Sequence, residues 1–241
     1  MKRNIVTIVA GVIMGVLGTT AAVAQSPKSI DYGVKAGINF SHLVLSDDFD
    51  VLKSPMKPGA DFGGYMRIGL HPNFAIQPEL EFYYRGYGVE TEEGLVSLEN
   101  KVNQWGMQIP IYAMGKMKLG NGTFYGGVGP YVGVGFSAKT DEIELLNNSL
   151  VNLKIDPIDL YEERNGKSVF QRWDVGLACQ LGYEFANGIQ INAGYKYGFV
   201  NQINDITTSV NDVTSKLGIS LDGDAYKAHA GVLTVGLGYR F

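Results

Sequence analysis

The sequence predicts an all-β protein, a transmembrane up-and-down antiparallel β-barrel of eight strands with short turns at one end and long loops at the other. Three observations predict it. Eight segments alternate apolar residues with small or polar ones. The connections between them alternate short and long. Within each segment the charged residues fall on the parity opposite the apolar residues.

The chain opens with "MKRNIVTIVAGVIMGVLGTTAAVAQ". Lys2 and Arg3 form a basic start, an apolar run follows from about Ile5 to Leu17, and Ala22-Val23-Ala24 offers a small-x-small cleavage site. This pattern reads as a secretory signal peptide over residues 1–24, with Gln25 beginning the mature chain. The apolar run is short for a transmembrane helix, which takes roughly 20 residues. The remainder, 25–241, is read as one outer-membrane barrel domain. Its one cysteine, Cys179, can form neither an internal disulfide nor a thiolate metal site. The formal charge of −4 argues against nucleic acid as a partner. After residue 24 no apolar run approaches a membrane helix, so a membrane-spanning mature chain must be a barrel.

The eight segments are Ile30–Phe40, Ala60–Leu70, Phe74–Arg85, Val102–Lys116, Thr123–Ser137, Phe170–Phe185, Ile189–Phe199 and Ala228–Phe241. "HPN" joins the second to the third, "MKLGNG" the fourth to the fifth and "ANG" the sixth to the seventh. Asn and Gly tolerate the positive φ that tight hairpins need. The other connections, at about 41–59, 86–101, 138–169 and 200–227, are long. An even strand number and alternating loop lengths put both termini on the short-turn, periplasmic side. Pro78 and Pro110 fall inside strands, where each must mark a bulge or a weakened pairing.

The aromatics sort into two belts. Phe74, Phe124, Tyr239 and Phe241 lie near the short-turn end, while Trp105 and Trp173 each follow a long loop at the other end. About 8–12 residues of tilted strand separate the belts, close to the apolar band of about 25 Å that outer-membrane barrels present to lipid. The opposite parity carries Lys35, Arg67, Glu79, Glu81, Arg85, Arg172, Asp174, Glu184, Lys196 and Arg240, with Asp31 and Asp61 at strand ends. An Arg or Lys facing lipid at mid-membrane would cost roughly 2–4 kcal/mol, so this set must point inward. Acids and bases balance within it, and glycines such as Gly33, Gly176, Gly182 and Gly236 leave room for long side chains. Eight strands enclose a lumen that side chains can fill. The expectation is a paired plug rather than an open pore, with Arg67 and Arg85 among the cations facing Glu79 and Glu81.

Read this way, "YGVKAGINFSHL", "QPELEFYYRGYG", "MQIPIYAMGK" and "YGGVGPYVGVGFS" resemble the porin-like outer-membrane protein β-barrel family common in Bacteroidota, some of whose members are PorT-like accessory proteins of a secretion system. The terminal "VGLGYRF" is similar to the last-strand signal read by the barrel assembly machinery, with Tyr239 and Phe241 as its aromatics. The resemblance implies residence in the bacterial outer membrane, with outer-membrane lipid and the assembly machinery as partners. It specifies architecture rather than activity.

Catalytic and ligand-binding patterns are weak. His42 and His71 belong to opposite ends of the barrel. Closure of the first strand on the last brings His42 near His229; together with Asp47 or Asp48 they could form a metal site, but two rim histidines are the simpler reading. Glu79 and Glu81 could do acid–base work, but interior cations offer them structural partners. "YGGVGPYVGVGFS" lacks the Gly-Lys-Ser/Thr and following helix of a phosphate loop. No enzyme activity, cofactor or metal is expected. The long segments Asp141–Lys167 and Ile203–Asp224 carry more Leu, Ile and Val than solvated loops need. Either they pack on one another and extend the barrel, or they dock a protein or a glycan. The expected function is a structural or interaction component acting through these loops. A narrow channel for ions or small solutes is the alternative.

Overall fold

A computed structural model describes residues 29–45, 52–53, 55–93, 96–140, 143–145, 153–155, 159–161, 170–202 and 228–241. The signal segment, Asp47 and Asp48, the whole of the 203–224 segment and most of the 141–167 segment lie outside the described residues. Among the described residues eight long strands follow in order: β1 Ser29–Leu45, β2 Lys57–His71, β3 Phe74–Glu93, β4 Val96–Leu119, β5 Gly122–Thr140, β6 Trp173–Glu184, β7 Ile189–Gly198 and β8 Ala228–Arg240. Each pairs antiparallel with its chain neighbours. β1 pairs with β8 from Gly33 opposite Arg240 to Leu45 opposite Ala228, which closes the barrel. Among the described residues, closure leaves no free edge in the barrel wall itself.

The short connections are as tight as their residues suggest. Pro72 and Asn73 turn β2 into β3. Gly120, at φ 59°, turns β4 into β5, and Gly188, at φ 85°, turns β6 into β7; both angles favour glycine over any side chain. The C-terminus does not fray. The Arg240 N–H donates to Gly188 O at 2.9 Å and the Phe241 N–H donates to Tyr32 O at 2.9 Å. The strict alternation up to the last residue therefore has a structural cause: this end is the strand that seals the barrel.

Two expectations about the strands need refinement. The connection expected at 86–101 is mostly strand, since β3 and β4 stay paired out to Glu93 opposite Val96. The Gly and Glu residues of "GYGVETEEGLVSLEN" hide a continuing ladder, because backbone pairing does not need an apolar face above the membrane. The prolines act by weakening the ladder. β3–β4 pairing is interrupted between Pro78 and Glu81, and β4–β5 pairing between Pro110 and Ala113.

The outer wall is apolar. Val34, Ile38, Leu80, Val128, Leu177, Leu181, Ile191, Val235 and Leu237 are all exposed, an apolar surface far larger than a soluble monomer presents. Aromatic pairs bound it. Tyr239–Phe241 and Tyr183–Phe185 meet edge-on at the short-turn end, with ring centroids 5.5 and 5.0 Å apart. At the loop end Tyr84 meets Trp105 at 4.9 Å and Phe62 stacks on Phe82 at 5.4 Å. Trp173, Phe74 and Phe124 also face outward.

Candidate functional site

The inward parity fills the lumen in layers. At the short-turn end Glu184 receives two arginines: Arg67 Nη1 at 2.7 Å and Arg240 Nε at 2.6 Å. Gln190 Nε2 donates to the same carboxylate at 2.8 Å. At mid-height Lys35 lies against both Glu79 and Glu81, at 2.7 Å from Glu81 Oε1, and Lys196 Nζ is 2.8 Å from Glu81 Oε2. This layer balances two cations against two carboxylates, which is what lets fully buried charge persist. Above it Arg85 lies over the Tyr83 ring at 4.0 Å, and Asp174 accepts from Tyr131 Oη at 2.8 Å.

Glutamines join the layers. Arg67 Nε donates to Gln77 Oε1 at 2.6 Å, and Gln77 Nε2 donates to Glu79 Oε1 at 2.7 Å. Gln108 Nε2 donates to Glu81 Oε2 at 2.5 Å and its Oε1 accepts from Arg85 Nη2 at 2.7 Å. A continuous polar chain thus runs Arg240–Glu184–Arg67–Gln77–Glu79–Lys35–Glu81–Gln108–Arg85. An amide is the fitting link, because one end accepts from a cation while the other donates to an anion.

Tyrosines supply the bulk, and glycines make room for them. Gly33 stands opposite Tyr65, Gly106 opposite Tyr83, and Gly182 and Gly176 opposite Tyr125 and Tyr131. A Cβ at any of the four would run into the facing ring. A ring covering a bare cross-strand backbone is a device that stabilises curved sheets.

The loop-end mouth is closed differently. Leu43, Tyr87, Val102, Ala138, Tyr161, Phe170, Ala228 and Ala230 form one buried apolar cluster. Tyr161 and Phe170 come from the connection between β5 and β6. That connection is tied down by the Leu160 N–H donating to Ala138 O at 2.8 Å and by Gln104 Nε2 donating to Tyr161 Oη at 2.6 Å. Burial pushes the Tyr161 phenol up to about 12. At the short-turn end, by contrast, a cavity of about 520 Å³ lies against Arg67, Glu184 and Arg240.

A family model described as outer membrane protein beta-barrel domain matches residues 23–204. The chain belongs to this family. As an outer-membrane β-barrel protein it has its place in the bacterial outer membrane, its apolar wall toward lipid. No curated protein sequence matches it. Among solved structures, OprG from Pseudomonas aeruginosa is similar at 16% identity, covering 90% of this chain and 98% of that one, with a TM-score of 0.49. Neisserial surface protein A is similar at 13% identity, covering 89% and 100%, with a TM-score of 0.42. Ail of Yersinia pestis is similar at 15% identity, covering 88% and 99%, with a TM-score of 0.38. The family assignment rests on the matched segment alone.

In this outer-membrane barrel, Arg67, Glu79, Glu81, Arg85, Asp174, Glu184 and Lys196 are buried, with Lys35 and Arg240 partly so. Arg172 departs from the set. It is exposed, one residue before β6 begins, and its Nη2 donates to Tyr161 O at 3.1 Å. Its parity is inward, but parity governs direction only inside a strand. Of the interior cations, Lys35 and Lys196 pair with Glu79 and Glu81 directly, while Arg67, bound to Glu184, and Arg85 reach them through Gln77 and Gln108. Reading for charge passed over Gln77, Gln104, Gln108, Gln180 and Gln190. Reading aromatics as belts passed over the inward tyrosines. The available signal was shared parity: Tyr83 lies between Glu81 and Arg85, and Tyr65 two residues before Arg67.

His42 stands opposite Gly231 and His229 opposite Val44, on the outward parity. His229 stacks on Tyr197 at 5.8 Å and His42 lies 6.4 Å from Tyr195. Among the described residues no group of three or more possible metal ligands occurs.

Proposed function

We propose that this outer-membrane barrel carries no solute and acts as a structural or interaction component through its loop-end surface. The observation that carries this reading is the hydrogen-bonded chain from Arg240 to Arg85 beneath the Tyr161–Phe170 cluster. Ion passage would require unpairing Lys35, Lys196, Glu79 and Glu81 together, and each cation or carboxylate stranded in the lumen costs several kcal/mol. The PorT-like resemblance of the Bacteroidota type supports an accessory rather than a transport role. The segments after β5 and β7 are the candidate docking elements for a protein or a glycan, and Tyr239 with Phe241 is the segment for the barrel assembly machinery to read.

Planar-bilayer recording on refolded protein tests the reading. Silence across ±100 mV is expected. Steady openings whose size responds to Glu81→Gln would overturn it in favour of a narrow channel.

A further inference from the structure

The cavity at the short-turn end is not explained by a lumen plug, and its chemistry is one-sided. Arg67, Lys116, Lys118 and Arg240 line it against two acids, Asp31 and Glu184. Glu184 is already engaged by both arginines. Among the described residues neither Lys116 nor Lys118 forms an ion pair, although the Asp31 and Glu184 carboxylates act on Lys116 from a greater distance. The lining is therefore two positive charges in excess. Asn73 and Thr123 add neutral polar groups at the rim.

Arg67 supplies the second observation. The residue is only 2% exposed. Its Nε and Nη1 are spent on Gln77 and Glu184, and its guanidinium lies 5.3 Å from the Tyr65 ring centre and 5.2 Å from that of Tyr125. Two hydrogen bonds and two rings fix the group. Its remaining nitrogen, Nη2, is buried without a hydrogen-bond partner. A donor held in place before the ligand arrives loses little entropy on binding, and a guanidinium suits a planar or tetrahedral oxyanion better than a lysine does. The space, about 520 Å³, falls in the size range of small-molecule sites.

The geometry points to an oxyanion-binding site at the short-turn mouth. Arg67 Nη2 is its fixed donor, Lys116, Lys118 and Arg240 supply its charge, and its ligand is a small molecule or headgroup bearing a phosphate or a carboxylate. The site is separate from the loop-end surface and does not depend on what that surface binds.

The test is calorimetric titration of the refolded full chain in octyl-glucoside micelles, which carry no phosphate, with inorganic phosphate in one arm and succinate in the other at constant ionic strength. Saturable binding is expected in at least one arm. Binding in the phosphate arm alone assigns a phosphate ligand, binding in the succinate arm alone assigns a carboxylate, and binding in both assigns the shared oxyanion chemistry. Lys116→Gln with Lys118→Gln, both at the rim, should weaken binding by about tenfold or more. Arg67→Lys, which keeps the charge and loses Nη2, should also weaken it. Lys139→Gln, an exposed change at the other end of β5, should bind as the parent does. Heat-modifiable gel mobility reports whether each variant is folded. No saturable binding in either arm by folded protein, or full-strength binding in either folded site variant, overturns the site.

Discussion

The two ends of the lumen are built from opposite materials. At the loop end the side chains are aromatic and aliphatic, and Tyr161 and Phe170 reach in from a connection to close the mouth. At the short-turn end they are charged, and they stop short of filling the space. An apolar closure gains stability by shedding water and leaves few polar atoms to satisfy. A charged lining keeps its stability only while each group has a partner or water. One end is thus made to stay dry and the other to stay wet, with the Lys35–Glu79–Glu81–Lys196 layer between them.

Breaking the middle layer should have the largest effect. Glu81→Leu strands Lys196 and leaves Lys35 to Glu79 alone, in a site that excludes water, and it should lower stability by about 3–5 kcal/mol. Denaturant unfolding in lipid vesicles reads this. Replacing all four charges together by Met and Gln should recover most of the loss, since neutral packing removes the unpaired charge.

Breaking the dry end comes next. Phe170→Ala should cost about 3 kcal/mol, confined to the lid. Limited proteolysis should then cut the β5–β6 connection while the barrel keeps its heat-modifiable mobility. Equal loss of barrel stability would show that the two ends are not separable.

A smaller effect tests the fit of ring to backbone. Gly106→Ala places a methyl against the Tyr83 ring and should cost about 1–3 kcal/mol. Adding Tyr83→Val should restore part of it, because the colliding ring is gone.

The smallest effect is the titration of the lid. The Tyr161 phenol is raised in the folded state from about 10 to about 12, so folding favours its neutral form. The stability this gives is complete below pH 10 and is lost as pH rises through 12. Proteolysis of the β5–β6 connection should be constant to pH 10 and accelerate above it.

The strands and their facing were legible because alternation is a local property of each segment. Arg67, Glu79 and Asp174 declare their side by the residues two positions away. The pairings were not legible. Which cation meets Glu81 depends on how far each strand is staggered against the next around the barrel, and no single segment carries that information. Lys196 reaches Glu81 from the far wall, more than a hundred positions along the chain. The tyrosines were missed for a different reason. An aromatic ring suits both a lipid interface and a packed interior, so residue type alone did not separate Tyr83 from Tyr84, although parity does. Arg172 shows the converse, an inward parity assigned where the strand had not yet begun.

Past the Tyr84–Trp105 contact, β3 and β4 continue as a paired ribbon from Arg85 opposite Gln104 to Glu93 opposite Val96, flanked by β5 as far as Val102 opposite Thr140 and by Leu52 and Lys53 opposite Thr91 and Glu90. At about 3.4 Å per residue this ribbon is roughly 30 Å long. Sugar chains of the surrounding lipids would crowd the barrel's shoulder before they shaded such a mast. An epitope inserted between Glu93 and Val96 would therefore be readable from outside an intact cell.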